Sequence, residues 1–352
     1  MGHQSEYFSS SYQEARSRFL KAASHAGFTV ASYQHPLPGY DGQAIFTDIA
    51  SKIPGNAKHI VMTTSGIHGV EGFAGSAAQI QALKTADKPN DVGIIHVHAL
   101  NPHGFDFGRR VNEHNIDLSR NFIDWSAPLP EDHSLNAAVQ STLKTKPGLW
   151  QQARIALLMA RHGMGTAKDA LTRGQYSDPS GLYFGGTGPA WSNLLWHQIV
   201  ARVTAQTPHL THIDFHTGLG PYGKGEMIMM ADRHSPMFHR AESLWDNVTT
   251  PQDGSSSTSL ITGSMCNAFN RTAARRTIVT TGALEFGTLP PLDVLKALAT
   301  DHHAYLTMPA AEARKVAWQA MQNAFNPPDS IWQVVILDQS QRALHRALML
   351  KP

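Results

Sequence analysis

The sequence of 352 residues has a single cysteine, Cys266. That excludes an intrachain disulfide framework and a cysteine-rich metal site, and fits a reducing compartment. Charge of one sign is also scarce, with a net of only +2. No stripe of basic residues interleaved with aromatics runs along the chain, so a nucleic-acid partner is not expected. No apolar run approaches the length that spans a bilayer, and residues 1–18 lack the basic-then-apolar pattern of a signal peptide. The expectation is a cytoplasmic protein without a membrane partner, in which the sequons at Asn247 and Asn270 carry no glycan. There is no internal repeat, low-complexity tract or clear linker.

What is present suffices for a large core. Hydrophobic residues make up 41% of the chain, and α/β folds of this length are often one domain, so residues 1–352 are expected to form a single catalytic unit. Residues 10–26 read as an amphipathic helix with Tyr12, Ala15, Phe19 and Ala22 on one face. Strands are expected over 28–33, 44–49, 92–100, 226–231 and 277–286. Helices are expected over 71–83, 191–205 and 236–245, with two more in 132–168. The stretch 292–348 is mainly helical, broken near Pro327 and Pro328. Residues 101–122 hold too many glycines and polar residues for a regular element, and 174–189 read as a loop able to cover a cleft. Alternating strands and helices imply a mostly parallel or mixed sheet covered on both faces.

The chemistry concentrates where apolar strands end. An apolar run from Ile60 stops at Gly66, and His68 and Glu71 follow three residues apart where a helix begins. Side chains at i and i+3 share a face of a helical turn. An imidazole and a carboxylate presented there can be two of the three protein ligands of a catalytic zinc, which keeps a position for water. The best third ligand is His216, in the strand Thr211-His212-Ile213-Asp214-Phe215-His216. His212 is too far for the same ion, because four residues of strand span about 13 Å. His96 and His98 share a strand face and read as structural.

Several motifs recur in one order and carry a resemblance. Gly66-Ile67-His68-Gly69-Val70-Glu71 is similar to the succinylglutamate desuccinylase and aspartoacylase branch of the zinc carboxypeptidase superfamily. Asp117-Leu118-Ser119-Arg120-Asn121-Phe122 resembles its carboxypeptidase A-like branch. The likeness runs over roughly 58–290 and points to a bacterial subgroup. It implies a twisted, mixed, about eight-stranded sheet between helices, one zinc per chain on His68, Glu71 and His216, and a base, Glu285, in Ala283-Leu284-Glu285-Phe286-Gly287. It further implies Arg110 as oxyanion donor, with Arg109 as the competing choice, and Arg120 as a clamp for a substrate carboxylate. Ser119 stands where an asparagine is usual. Met265 and Cys266 would line the specificity pocket. No tyrosine occurs in 255–262, so Tyr176, Tyr183 or Tyr222 stands in for the usual phenol, or none does.

Bottom-up chemistry asks for the same residue types. Zinc acidifies a bound water and polarises a carbonyl, a carboxylate outside the metal's ligands moves the proton, and a planar guanidinium suits a carboxylate. The expected activity is zinc-dependent amide hydrolysis, either removing the C-terminal residue of a short peptide or deacylating an N-acyl amino acid. Two other readings compete. Gly218-Leu219-Gly220-Pro221-Tyr222-Gly223-Lys224 nearly matches a nucleotide-binding loop, and a zinc-free binding protein could use the same fold. The oligomeric state is not legible.

Overall fold

The computed structural model describes residues 6–85, 89–205 and 207–350. Its framework is an eight-stranded sheet in the order β1-β2-β4-β3-β5-β8-β6-β7. The strands are β1 (Thr29–Gln34), β2 (Phe46–Lys52), β3 (His59–Ser65), β4 (Val92–His98), β5 (His209–Tyr222), β6 (Gly225–Ile228), β7 (Val248–Thr249) and β8 (Ile278–Gly287). β3 pairs in parallel with β4 and β5, β5 with β8, and β6 with β7; the pairs β1–β2, β2–β4 and β6–β8 are antiparallel. The expected mixed sheet is therefore present. Every residue of β3 and β4 is buried, as in strands covered on both faces.

Twelve helices flank it among the described residues: α1 (Tyr12–His25), α2 (Gly72–Thr85), α3 (Pro102–Phe107), α4 (Asn136–Leu143), α5 (Leu149–His162), α6 (Met164–Thr172), α7 (Trp191–Thr204), α8 (Pro236–Leu244), α9 (Met265–Thr272), α10 (Pro291–Thr307), α11 (Ala310–Phe325) and α12 (Ser330–Leu348). The period of two in the strands sorts the core into two layers. Val61, Ile213, Phe215, Leu284 and Phe286 face a cluster with Phe19 of α1, Ile80 of α2, Phe238 of α8 and Trp332 of α12. Ile60, Met62, Ile95 and Leu210 face the opposite way, onto Trp196 and Ile199 of α7 and Met265 and Phe269 of α9. A third cluster, with Val294, Leu298, Met321 and Phe325, joins α10 and α11 beside the carboxyl ends of the parallel strands. No described helix is long and apolar enough to cross a membrane.

Three stretches differ from the sequence reading. Within 101–122, expected to lack regular structure, α3 forms: Asn101 accepts the Gly104 N–H, Pro102 suits the first turn, and Gly108 ends it in the left-handed region. The segment 132–168 holds three helices rather than two, because Gly163 at φ +82 separates α5 from α6. Residues 265–272, read only as a pocket segment, are α9, and two-residue β7 had no periodicity to reveal it.

Candidate active site

The site lies where β3, β5 and β8 end together. Gly66, at φ +69, turns the chain out of β3, and a short 3₁₀ turn, Gly69–Glu71, then leads into α2. Gly69 has no room for a side chain, since a Cβ there would stand 2.0 Å from the backbone of Gly104. That close approach holds the turn against the 101–122 segment. The Gly69 and Val70 N–H groups donate to the carbonyls of Arg110 and Arg109, at 3.2 and 2.8 Å.

His68, Glu71 and His216 form the group, among the described residues, whose ligand atoms all lie within 4.8 Å of one another. They are 3%, 1% and 8% exposed. Glu71 turns one oxygen to each histidine: Oε1 is 2.9 Å from His68 Nδ1 and Oε2 is 3.0 Å from His216 Nδ1. The opposite ring nitrogens meet carboxylates, His68 Nε2 at 3.2 Å from Asp117 and His216 Nε2 at 2.7 Å from Asp214. Both Nδ1 atoms therefore converge on Glu71 while the Nε2 atoms are held from behind, the outer arrangement that fixes tautomer and ring orientation in metal-bound histidines. His68 Nδ1 lies close to Glu71 but off the line a hydrogen bond requires, and remains buried without one. Two imidazole nitrogens and one carboxylate are a donor set that zinc takes, so the residues present fit such an ion.

Electrostatics follow the geometry. Burial works against the charge of Glu71, but His68, His216 and Arg110 outweigh it and hold its carboxyl well below the usual range. Burial also opposes a charged His216, yet Asp214 and Glu71 raise its pKa well above the ordinary value. Asp117 is likewise held low, with Arg110, Arg120 and His68 overcoming its burial. Glu285 goes the other way: burial, then the charge of Glu71, push it above the carboxylate range. It stands opposite His216 in the β5–β8 register, and its Oε1 accepts the Leu219 N–H at 2.9 Å.

The two neighbouring arginines separate. Arg110 enters the site, donating to Glu71 at 2.9 Å and to Asp117 at 3.1 Å. Arg109 points away, paired with Asp301 of α10 at 3.1 Å and stacked on Tyr305. Arg120 is buried, and its Nε and a terminal nitrogen both donate to the Thr172 carbonyl at the end of α6. Its other terminal nitrogen lies 3.8 Å from Asp117. The fork expected to clamp a carboxylate is thus turned largely onto the protein.

Arg110, Ser119, Arg120, Met265, Cys266 and Glu285 line one cavity together with His68 and His216. Of the three candidate tyrosines, Tyr183 lines it too, its ring 5.7 Å from the Arg110 guanidinium and 5.4 Å from that of Arg120. Tyr183 sits at φ +56, a conformation seldom adopted without cause by a bulky residue. Tyr176 instead donates to the Arg120 carbonyl at 2.6 Å, and Tyr222, 50% exposed, pairs with Asp329.

Other calls fall outside the cluster. His96 contacts Thr63, His98 contacts Ser76, and His212 lies between Thr64 and Thr281. The glycine run from Gly218 continues β5 and leads into β6, so the helix N-terminus a nucleotide loop requires is replaced by a strand. The sequence reading gave no role to Asp117 or Asp214. Asp214 was readable, since two residues before His216 on a strand means the same face. Asp117 had no such signal, because its contact with His68 crosses 49 residues.

Residues 8–339 match the family described as "Protein of unknown function (DUF2817)". No curated protein matches the sequence. Among solved structures the chain is similar to carboxypeptidase A from Helicoverpa armigera, at 14% identity over 95% of this chain and 73% of that one, TM-score 0.45. It is similar to bovine thrombin-activatable fibrinolysis inhibitor in complex with tick carboxypeptidase inhibitor, at 12% identity over 97% and 98%, TM-score 0.46. It is also similar to an aspartoacylase family protein from Mesorhizobium loti, at 11% identity over 83% and 67%, TM-score 0.38.

Proposed function

The chain belongs to the DUF2817 family, and for it we propose zinc-dependent hydrolysis of a carbon–nitrogen amide bond in a small substrate. The observation that carries the reading is the convergence of His68 Nδ1, His216 Nδ1 and the Glu71 carboxylate, with Asp117 and Asp214 behind the imidazoles. A zinc ion held by those three residues supplies an acidified water and a polarised carbonyl.

The chain's own groups supply the rest. Glu285 is buried beside His216 and outside the cluster, where a carboxyl with a raised pKa can take a proton and return it to the departing nitrogen. Arg110 offers a fixed positive charge to the oxygen that becomes anionic, while its bonds to Glu71 and Asp117 set its direction. Arg120 and Ser119 both line the cavity and would anchor a substrate carboxylate, through the Arg120 terminal nitrogen that is not on Thr172 and that donates to the Ser119 carbonyl at 3.3 Å. Tyr183, which lines the cavity with its ring near both guanidiniums, would be the phenol that contacts the substrate.

Removal of a C-terminal residue from a short peptide is the preferred activity. Deacylation of an N-acyl amino acid breaks the same acyl–NH–CHR–carboxylate bond, so it shares every group above and differs only in what precedes the acyl carbon. The cluster is buried, and residues of α6, α10 and α11 wall the cavity beside it, which favours small substrates over folded protein termini. Metal analysis of protein purified without chelator, followed by assay of the zinc-loaded protein on dipeptides and N-acyl amino acids, tests the reading. Zinc at one per chain with turnover supports it; full activity without bound metal contradicts it. The same metal analysis tests the zinc-free binding reading.

A further inference from the structure

We propose that α5 docks the protein on an anionic lipid surface, an attachment independent of the hydrolase reading. A helix on a globular core ordinarily turns its apolar stripe inward. In α5 the inward side is Gln151, whose amide donates to the Leu143 and Thr145 carbonyls at 3.2 and 2.9 Å, with Ile155 and Leu158 partly buried on the third cluster. The outward side is apolar too. Leu149 is 83% exposed, Trp150 88% and Leu157 52%, and Met164, just past the break at Gly163, is 73% exposed. Ala153, Ala156 and Ala160, also on α5, are exposed as well. Apolar surface gathered on one exposed helix face marks a partner.

Charge selects that partner. Residues 133–168 include five Lys or Arg and no Asp or Glu, in a chain with 29 basic and 27 acidic residues in all. Positions i, i+4, i+7 and i+11 share one side of a helix, so Trp150, Arg154, Leu157 and Arg161 form a single outward line. Arg154 reaches the Ser141 hydroxyl at 3.5 Å, and neither arginine forms an ion pair among the described residues. Twofold pairing with a second copy would bring these cations toward their own counterparts, with no acid on the face to receive them. An anionic bilayer supplies phosphates for the arginines and acyl chains for Leu149, Trp150 and Leu157, as for helices that lie in the membrane interface. Such attachment is peripheral. It needs no spanning helix, and the lack of one among the described residues is compatible with it. α6 packs on α5 and brings Lys168 and Thr172 to the cavity, so docking sets the candidate site one helix away from the lipid.

The test is cosedimentation of the full chain with vesicles of phosphatidylcholine, alone or mixed with phosphatidylglycerol. Binding to the mixed vesicles should be at least about tenfold tighter and should weaken as salt is added. Trp150→Ser, and separately Arg154→Glu with Arg161→Glu, should each weaken it by at least about tenfold, with the circular dichroism of the parent, since all three side chains lie on the outward face. If Trp150→Ser does not fold, Leu157→Ser examines the same stripe. No binding to the mixed vesicles, equal binding to phosphatidylcholine alone, or parental binding by the folded variants overturns the proposal. A parent that elutes as a dimer and ignores vesicles, with Trp150→Ser eluting as a monomer, gives the face to a second copy and overturns it as well. Neither the zinc assay nor the turnover assay enters this test, so its failure leaves the hydrolase reading where it stands.

Discussion

His216 and Asp214 lie two residues apart on one face of β5, with His216 Nε2 2.7 Å from the Asp214 carboxylate. Asp214 in turn accepts from the Thr64 hydroxyl on the adjacent strand. The bond leaves Nδ1 as the atom His216 presents to Glu71 and to a metal. An acid behind a metal-bound histidine fixes its tautomer and strengthens it as a donor.

Asp214→Asn should therefore weaken zinc binding by about 10–100-fold while the fold survives, because the amide keeps the size of the side chain. Thr64→Val should have a smaller effect in the same direction. Competition with a chelating indicator measures both, and parental affinity in Asp214→Asn would remove the carboxylate from the account.

His216→Ala deletes a ligand rather than its support, so its loss of zinc affinity should exceed the ~10²-fold upper range for outer groups. Circular dichroism and the elution volume should remain those of the parent. Full zinc retention by this variant would take His216 out of the cluster.

Much of this site was legible in the sequence, and the reason is local. His68 and Glu71 follow an apolar run that ends at Gly66, and His216 closes an apolar run just before Gly218, so strand ends and their chemistry could be read from one stretch each. The α/β alternation likewise gave the mixed sheet. The orientation of Arg120 could not be read, because the Thr172 carbonyl that takes its fork comes from α6, 52 residues away, and α6 itself depends on the break at Gly163. Tyr183 was one of three equal candidates until the fold brought its ring over Arg110 and Arg120.

Arg120→Lys should raise KM for a substrate with a free α-carboxylate by about 10–100-fold, the range of a charged hydrogen bond, since an ammonium does not reproduce the fork. The α-amide of the same substrate should be nearly unaffected. Equal effects on acid and amide would mean that Arg120 acts through its contacts with Thr172, Ser119 and Asp117 alone.

The metal-free protein should lose stability in mild acid. Burial holds His59, His98 and His302 neutral, each down to about 4 from the ordinary 6.5. Between those values the unfolded chain binds protons that the folded chain does not. The stability these residues contribute is therefore complete above pH 6.5 and falls progressively toward pH 4. Melting temperature measured across that range in the presence of chelator checks the sign, and a flat profile would contradict the neutral, buried state of these rings.

The most direct test of the central claim is Glu285→Gln, which removes one ionisable oxygen with almost no change in size. Zinc content and melting temperature should match the parent, because Glu285 is outside the His68, Glu71 and His216 cluster. The account predicts that kcat falls by about 10²–10⁴-fold, the usual worth of a general base, while substrate still binds. Near-parental kcat in a variant with full zinc would contradict it.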